Sequence, residues 1–431
     1  MRNLVLVITS FITIILADRV YAFPAYDGTF SFSASADNET ENDTKLNPGN
    51  ILDMGYPTGA SLNSDIDIRL LMHRNFTFSI ANSSYIRYNY YTDKPEDGET
   101  WEHDNTLKQL FGTFHAGEHL IIDAGKKTER NGIMFFRNPS DFFQTGSTTG
   151  LSRSKEERDA DLEGSVLVKG EIFIGSNVSV NAVFSPEYER VDNSITQIQC
   201  GISYQFDAAD FTLTGYKGDV YKLGTSASAN IGTSAVIRGE ASVSEEKNRF
   251  TLSKGTTAPN DPNEGIYYKP EESIMRRPWE ASVGGQYTFK DGSDLYAEYY
   301  YNHAGYTDIE WNDLMKVIDQ CSNVSQFYNR ISMLQLNGVI RDNGGITAAR
   351  RHYLFFRYSK NDIIFEDFNF AAATVIGLEN AGGLLTLSPQ YEISNNTSLK
   401  GDATFFGGED ESEFELMYHR MSFEIMIEYV F

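Results

Sequence analysis

The stretch that decides the fold class is SFEIMIEYVF, residues 422–431. Its apolar and polar residues alternate with a period of two, which is the pattern of a half-buried β-strand. One face carries Phe423, Ile425, Ile427, Tyr429 and Phe431. The other face carries two carboxylates, Glu424 and Glu428. In a chain with a formal net charge of -24, such a strand is typical of a wall with lipid on one side and water on the other.

The same alternation recurs along the chain. It is clearest in SDIDIRLLMH (64–73), NVSVNAVF (177–184), TQIQCGISYQF (196–206) and AVIRGEASVS (235–244). One apolar face and one polar face fit any half-buried strand. These segments therefore predict an all-β fold without yet placing it in a membrane.

The connections between the strands indicate a membrane barrel. Eight tight turns recur, at 73–75, 117–119, 175–177, 207–210, 232–233, 290–294, 359–362 and 394–397. Nine longer connections alternate with them, at 37–62, 92–104, 131–160, 189–194, 218–221, 246–278, 304–346, 373–382 and 408–413. A barrel that crosses a membrane carries short periplasmic turns on one rim and extracellular loops on the other. The sequence thus predicts a transmembrane, up-and-down antiparallel β-barrel of about 18 strands, within a range of roughly 16 to 20.

Closure of this barrel makes a further prediction. In lipid no water satisfies an open sheet edge, so the first strand, around 29–36, should pair with the last one. After residue 22 no apolar run approaches the roughly 20 residues of a transmembrane helix. Aromatic residues make up 13% of the chain, which suits the aromatic girdles of an outer-membrane barrel.

The N-terminal 22 residues predict a secretory signal peptide. Arg2 precedes a short apolar run at 4–17, and VYA at 20–22 offers small residues where signal peptidase cleaves. Residues 23–431 would then form the barrel in the outer membrane.

Two other features concern local structure. Cys200 lies in mid-strand and Cys321 in a long loop, so no disulfide between them is expected. In the same loop, DIEWNDLMKVIDQ (308–320) places Trp311, Leu314, Met315 and Ile318 on one helical face. This segment predicts a short amphipathic helix that either caps the barrel mouth or lies across the neighbouring loops.

The most distinctive segment is GKKTERNGIMFFRNPSDFF, residues 125–143. The spacing of Gly125-Lys126, Asn131-Gly132 and the run NPSDFF at 138–143 resembles a pattern in large outer-membrane porin-like barrels of Gram-negative bacteria, among them alginate-export-like and uncharacterised porin families. In those families a Gly-Arg-Gln element is followed by Trp-Gly-x-Gly and Phe-x-Asn-Pro-x-Asp-x-Phe. Here Asn131 stands in place of the usual Trp.

The resemblance implies a porin whose third loop, at 131–160, folds inward and narrows the pore. The candidates for the constriction are then Lys126, Arg130, Arg137 and Asp141. The alternative is a loop packed on the rim with these charges in water.

Strand parity predicts which side chains face the lumen. These are Asp65, Asp67, Arg69, Arg87, Arg238, Glu240, Glu424 and Glu428. Both signs of charge occur, so parity predicts a water-filled channel without a definite ion selectivity. The terminal aromatics Tyr429 and Phe431 resemble the signal that the barrel-assembly machinery reads.

The predicted function is an outer-membrane porin-like channel for passive diffusion of small hydrophilic solutes or ions. It would contact lipid and lipopolysaccharide, with a homo-oligomer left open. The alternative is an interaction barrel that houses a periplasmic cytochrome or belongs to a polysaccharide-export machine.

An enzyme is not expected. His115 and His119 flank a tight turn rather than share a helix face, and no G-x-S-x-G element occurs. Basic stretches for nucleic acid are also missing. No cofactor is predicted, and divalent cations are the one ligand that the acidic loops at 93–104, 259–272 and 407–413 suggest.

Overall fold

The computed structural model describes residues 26–41, 58–90, 99–143, 151–153, 158, 162–186, 195–254, 268–322, 327–342, 348–416 and 419–430. The strands of the first half are β1 (Tyr26–Glu41), β2 (Thr58–His73), β3 (Phe76–Tyr90), β4 (Glu99–Ala116), β5 (Leu120–Lys127), β6 (Ser165–Ile174), β7 (Val178–Ser185), β8 (Gln197–Gln205), β9 (Ala209–Lys217) and β10 (Tyr221–Ile231). Those of the second half are β11 (Ala235–Ser244), β12 (Glu246–Lys254), β13 (Tyr268–Arg276), β14 (Trp279–Thr288), β15 (Asp294–Asn302), β16 (His352–Lys360), β17 (Phe368–Gly377), β18 (Gly382–Ser394), β19 (Thr397–Gly407) and β20 (His419–Val430). Two helices, α1 (Asp308–Cys321) and α2 (Phe327–Asp342), lie between β15 and β16.

Eighteen of these strands form one closed antiparallel sheet. Each strand pairs with its neighbours in the chain, and β11 pairs directly with β14. The sheet closes between β1 and β20, where Ser31 lies opposite Val430 and Ala36 opposite Ile425. Because closure leaves no strand edge exposed, every wall strand has a partner on both sides. The predicted 18-strand barrel and the pairing of its first and last strands are both confirmed.

The two faces of the wall differ as a membrane barrel requires. Apolar side chains are exposed on the outer face, among them Val283 at 55% and Ile425 at 61%. Polar side chains are buried on the inner face, among them Gln199 at 0% and Ser282 at 3%. This distribution is the reverse of that in a soluble protein and matches an outer surface in contact with lipid. Phe431 lies outside the described residues.

Aromatic side chains gather near both rims. On the rim with the long loops, the rings of Trp279 and Tyr301 are 4.4 Å apart. On the rim with the short turns, Phe365 lies 5.1 Å from Phe368 and 5.7 Å from Tyr391. We call these the loop rim and the turn rim. Rings at both rims are the girdles that hold a barrel at the two membrane interfaces.

The prediction from the sequence was least accurate at the ends of the long loops. The expected loop 246–278 contains a separate hairpin of β12 and β13, in which Glu246 pairs with Arg276. The expected loop 373–382 shrinks to residues 378–381, because β17 continues to Gly377 and β18 begins at Gly382. At the end of β17 the inward-facing residues Ala373 and Val375 are apolar and buried in a cluster with other side chains, so polar and apolar residues no longer alternate there.

The helix predicted at 308–320 is confirmed as α1. Thr307 caps its N-terminus, and the Glu310 carboxylate accepts the Thr307 backbone N–H at 2.8 Å in a capping box. Its apolar face packs on α2 and on the last loop, in a cluster with Met333, Leu336 and Leu416. The helix therefore lies across the neighbouring loops. Within the described ranges no helix is long and apolar enough to cross a bilayer.

The two cysteines are free, as expected. Cys200 is exposed on the outer face of β8, whereas Cys321 is buried at the end of α1.

Candidate functional site: the third loop and the lumen

The third loop, L3, comprises residues 128–164 between β5 and β6, and the described parts at 133–140 and 152 contact side chains of the inner wall. Its first part is an ordered turn. The Asp141 N–H donates to the Asn138 carbonyl at 3.1 Å, and Arg130 pairs with the Asp141 carboxylate at 2.7 Å. Gly132 makes this turn possible, since a Cβ there would lie 2.2 Å from the Asn138 side chain. The NPSD run thus folds back onto the start of L3.

Two carboxylates of the barrel wall hold the L3 backbone. Glu240 on β11 accepts the N–H groups of Ile133, Met134 (3.0 Å) and Ser140 (3.1 Å), and also the Ser140 hydroxyl (2.8 Å). Both carboxylate oxygens are used, each by two donors. These donors are 100 residues or more from Glu240 in sequence, so the contact fixes the loop against a distant part of the wall.

The second carboxylate is Glu298 on β15. It accepts the N–H of Phe135 at 2.6 Å and that of Phe136 at 2.8 Å. Next to it, the Ser282 hydroxyl of β14 donates to the Arg137 carbonyl at 3.1 Å. Five consecutive residues of L3, 133–137, are therefore bonded to wall side chains. Carboxylates suit this role because buried backbone N–H groups need strong acceptors.

Aromatic packing supports the same segment of L3. Phe136 is 1% exposed and stacks on Phe355 at 5.6 Å. It also meets the Tyr300 ring edge-on at 5.9 Å. Phe142 contacts Tyr216 at 5.5 Å. Buried rings on the inner face of a barrel are unusual for a water-filled wall, and here they are covered by L3.

The far part of L3 reaches the opposite strands. Arg357 on β16 donates through Nε to the Ser152 carbonyl at 2.8 Å. The Ser152 hydroxyl donates to Asp402 on β19 at 3.3 Å, and the Ser388 hydroxyl of β18 donates to both Ser152 and Asp402. The contacts of L3 described above thus run from β9 to β19 along the inner wall.

A polar cavity of about 500 Å³ lies beside this end of L3. Its walls come from L3 itself and from strands on both sides of the β1–β20 closure. Asn361 and Asn369, which flank the turn between β16 and β17, line its lower end. The cavity therefore extends from Ser152 and Arg153 toward the turn rim. A second cavity of about 330 Å³ lies on the inner face of β2 to β5.

The four residues predicted for a constriction do not lie together. Arg130 and Asp141 pair with each other within L3, and Asp141 is buried. Arg137 lies over the Phe136 ring at 5.6 Å. Lys126 pairs with Glu163 and is opposite Leu110, an exposed outer-face residue.

The prediction that Lys126 lines a constriction is therefore wrong, because Lys126 lies on the outer face. Its neighbour Lys127 faces the lumen, where it pairs with Asp123, lies over the Phe111 ring at 4.9 Å and lines the second cavity. The physical reason is strand parity, since adjacent residues of β5 point to opposite faces of the wall.

The residues predicted from parity to face the lumen lie as follows. Asp65, Glu424 and Glu428 line the larger cavity, and Asp67 and Arg69 line the smaller one. Arg87 donates to Asn89 at 2.7 Å, Arg238 donates to Gln286 at 3.2 Å, and Glu240 holds L3. Tyr429 is 40% exposed on the outer face.

Several residues at the site were not identified from the sequence. They are Glu298, Ser282, Arg357, Asp402 and Lys400. A signal was present for Glu298, because it is the single charged residue in LYAEYYYN (295–302) and shares a face with Tyr296 and Tyr300. No local signal shows that it binds a loop more than 150 residues away.

The acidic loops are only partly described. Residues 93–98 and 259–267 lie outside the described ranges. In the loop at 407–413, Glu413 is buried and accepts the Ala349 N–H at 2.9 Å. Burial raises the pKa of Glu413 to about 8, although hydrogen bonds from the Tyr353 hydroxyl and the Ala349 N–H lower it. Among the described residues no group of three or more His, Cys, Asp or Glu could hold a metal ion.

Comparison with known proteins finds similar folds among solved structures. Neither a known protein family nor a curated protein matches the sequence. The structure is similar to OccAB2 of Acinetobacter baumannii, with a TM-score of 0.54 and 8% identity over 96% of this chain and 99% of that one. It is also similar to OccAB1 of the same organism (TM-score 0.53, 9% identity, 96% and 98% covered) and to OccK5 of Pseudomonas aeruginosa (TM-score 0.51, 7% identity, 95% and 99% covered). At such low identity the likeness shows a shared barrel fold over almost the full length of both chains.

Proposed function

We propose that this protein is an outer-membrane channel for passive diffusion of small hydrophilic solutes, with a lumen narrowed by L3. The observation that carries the proposal is the fixed position of L3 inside the barrel. Glu240 and Glu298 bind its backbone at one end, and Arg357 and Asp402 bind it at the other. A loop held this way narrows the passage without having to move.

Two further observations support the proposal. The larger cavity is lined mainly by polar and charged side chains, as a water-filled passage requires. The barrel fold is shared with OccAB2, OccAB1 and OccK5 over almost the full length of each chain. The loop rim would then be extracellular and the turn rim periplasmic.

Planar-bilayer recording of the purified protein tests the channel itself. We expect discrete, ohmic conductance steps. A preparation that shows the heat-modifiable gel mobility of a folded barrel but no conductance would contradict the proposal. If a periplasmic or export protein then co-purified with it, the interaction barrel would replace the channel.

Cysteine modification tests whether L3 borders the passage. Arg153 lines the larger cavity, so attachment of a bulky, water-soluble thiol reagent at Arg153→Cys should lower the single-channel conductance. Ile237→Cys on the outer face is the matched control, since Ile237 is 49% exposed outside the wall. The unsubstituted protein controls for Cys200 and Cys321. An equal response of both variants would contradict a narrowing by L3.

We also propose that residues 1–22 are removed on export and that Tyr429 and Phe431 belong to the strand read by the barrel-assembly machinery. Intact-mass measurement of the protein from outer membranes should give a chain beginning at residue 23. Replacement of Tyr429 and Phe431 together by Ala should lower the amount of assembled barrel. A normal amount of assembled barrel would contradict this role of the terminal aromatics.

A further inference from the structure

The charges that line the larger cavity are balanced. Its cations are Lys108, Arg153, Arg357 and Lys400. Its anions are Asp65, Asp402, Glu424 and Glu428. Among the described residues, four positive and four negative groups give the lining no net charge, although the whole chain carries -24. The acidity of the chain therefore does not extend to this part of the lumen.

Two of these charge pairs are ion pairs within the wall. Lys400 on β19 binds Glu428 on β20 at 2.8 Å. Lys108 on β4 lies 3.4 Å from Asp65 on β2. In each pair the cation and the anion neutralise one another at the cavity surface, so neither leaves an unbalanced charge for a solute.

Two more of the charges are bonded to L3. The Arg357 guanidinium donates to the Ser152 carbonyl at 2.8 Å and, through Nη1, to the Ser359 hydroxyl at 2.9 Å. Asp402 accepts the hydroxyls of Ser152 and Ser388. These groups shape the cavity and hold the loop, so part of their hydrogen-bonding capacity is already used within the protein.

The two remaining charges, Arg153 and Glu424, are of opposite sign, and the rest of the polar lining is uncharged. It consists of hydroxyl and amide side chains from six strands, from L3 and from the turn rim, including Ser33, Asn63, Ser83, Asn369 and Gln390. Such groups both donate and accept hydrogen bonds. Each hydrogen bond between water and a hydroxylated solute can therefore be replaced by a hydrogen bond to one of these side chains.

We propose that this cavity selects net-neutral, hydroxyl-rich solutes of sugar size over charged solutes of the same size. The inference rests on the proposed channel function. A volume of about 500 Å³ lies within the range of small-molecule pockets. A charged solute of that size loses part of its hydration in the cavity and meets no unbalanced countercharge, so its entry is slower.

The test uses three sugars of nearly equal size and different charge, namely glucose, glucuronate and glucosamine. Their uptake into proteoliposomes that contain the full-length protein is measured at the same concentration and salt. We expect glucose to enter faster than either charged sugar by about threefold or more. Uptake of glucuronate or glucosamine as fast as glucose would overturn the inference.

Variants of one ion pair sharpen the test. Lys400→Gln leaves the Glu428 charge unbalanced, so the ratio of glucosamine to glucuronate uptake should rise by about threefold. Glu428→Gln should lower the ratio by a similar factor, and the double variant should restore it. Lys126→Gln is the matched control, because it removes a lysine charge from the outer face of the wall.

The outcomes separate this inference from the channel function. A ratio that neither single variant changes would overturn the cavity's role in selection while leaving the channel in place. No uptake of any of the three sugars, with a folded barrel shown by heat-modifiable gel mobility, would overturn both. The double variant also guards against misfolding, since it lacks the same side chains as the single variants but keeps the charge balance.

Discussion

Replacement of Glu240 by Gln tests whether wall carboxylates hold L3 in the lumen. The substitution keeps the shape of the side chain and changes its hydrogen bonding. The Oε1 atom of Glu240 accepts the N–H groups of Ile133 and Met134, and Oε2 accepts the N–H and the hydroxyl of Ser140. Glutamine retains one acceptor oxygen and replaces the other by an NH₂ group, which donates and cannot accept.

The cost follows from these four bonds. The Ser140 hydroxyl can reverse and accept from the new NH₂ group, but the Ser140 N–H is then buried without its acceptor. A lost bond to a charged acceptor costs about 1.5–3 kcal/mol, and the orphaned donor costs about 1–3 kcal/mol. Allowing for partial relaxation, we expect L3 to be destabilised by about 3–5 kcal/mol, which shifts its equilibrium between bound and displaced positions by roughly a hundredfold to several thousandfold.

Thiol labelling reports the displacement of L3 without relying on conductance. Met134 is 0% exposed, so Met134→Cys should react slowly with a water-soluble maleimide. In the Glu240→Gln background we expect the labelling rate at position 134 to rise by at least about tenfold, since the open population sets the rate. Mass spectrometry assigns the label to its peptide, and the protein without Met134→Cys reports any labelling of Cys200 and Cys321.

Glu392→Gln is the matched control for this experiment. Glu392 is an exposed carboxylate on β18 that accepts the Asn369 side chain at 2.9 Å and makes none of the described contacts with L3. The labelling rate at position 134 should not change in this variant. Equal rates in Glu240→Gln and the parent protein would refute the conclusion that Glu240 holds the loop.

Three further predictions concern other parts of the molecule. Burial raises the pKa of Glu413 to about 8, so protonation of Glu413 stabilises the packed loops. Their stability should fall as the pH rises from about 4.5 to about 8 and should level off above that range. The protection of the Ala349 amide from hydrogen exchange should follow this pH dependence, and Glu413→Gln should remove it. Trp311 in α1 is 1% exposed, so Trp311→Ala should destabilise the packing of both helices by about 3–5 kcal/mol. Ile309 in the same helix is 76% exposed, so Ile309→Ala should change the stability by less than about 0.5 kcal/mol. The rate of proteolysis within 303–351 measures both effects, and equal rates in the two variants would contradict the packing described. Ile425→Lys on the outer face of β20 should destabilise the folded barrel by about 2–4 kcal/mol if it lies near the bilayer midplane. Met426 lines the cavity, so Met426→Lys should destabilise the barrel much less. The fraction of heat-modifiable barrel formed in vesicles measures both effects, and equal fractions would contradict the assignment of the two faces.

Much of the barrel was predictable because lipid imposes a rule on every spanning strand. Ile425 must face outward and Glu424 inward, and the next residues must alternate in the same way. The sequence of a single strand therefore already shows the two faces. The hairpin β12–β13 escaped prediction because it lies among the loops and packs on the helices, as in the Arg249–Glu310 pair, where the alternation imposed by lipid does not apply.

The site was predictable only in part. The resemblance singled out the segment that contains the NPSD run, and this run forms a turn held by the Arg130–Asp141 pair. Lys126 was chosen for its place in the motif, whereas parity along β5 assigns the lumen to Lys127. Ser152 and Asp402 are 250 residues apart, and no local pattern in a sequence indicates a contact over such a separation.

The use of Glu240 and Glu298 has a consequence for the channel as a whole. A carboxylate on the inner face of a barrel looks, in sequence, like a charge that acts on passing ions. Both of these carboxylates are instead covered by L3 and bonded to its backbone. A loop that crosses a wet lumen must satisfy its own N–H groups, and wall carboxylates do so more strongly than water. A count of inward-facing charges from the sequence therefore overestimates the electric field that acts on a solute in the lumen. The groups that select the solute are instead the charge-balanced side chains of the larger cavity, between L3 and the turn rim.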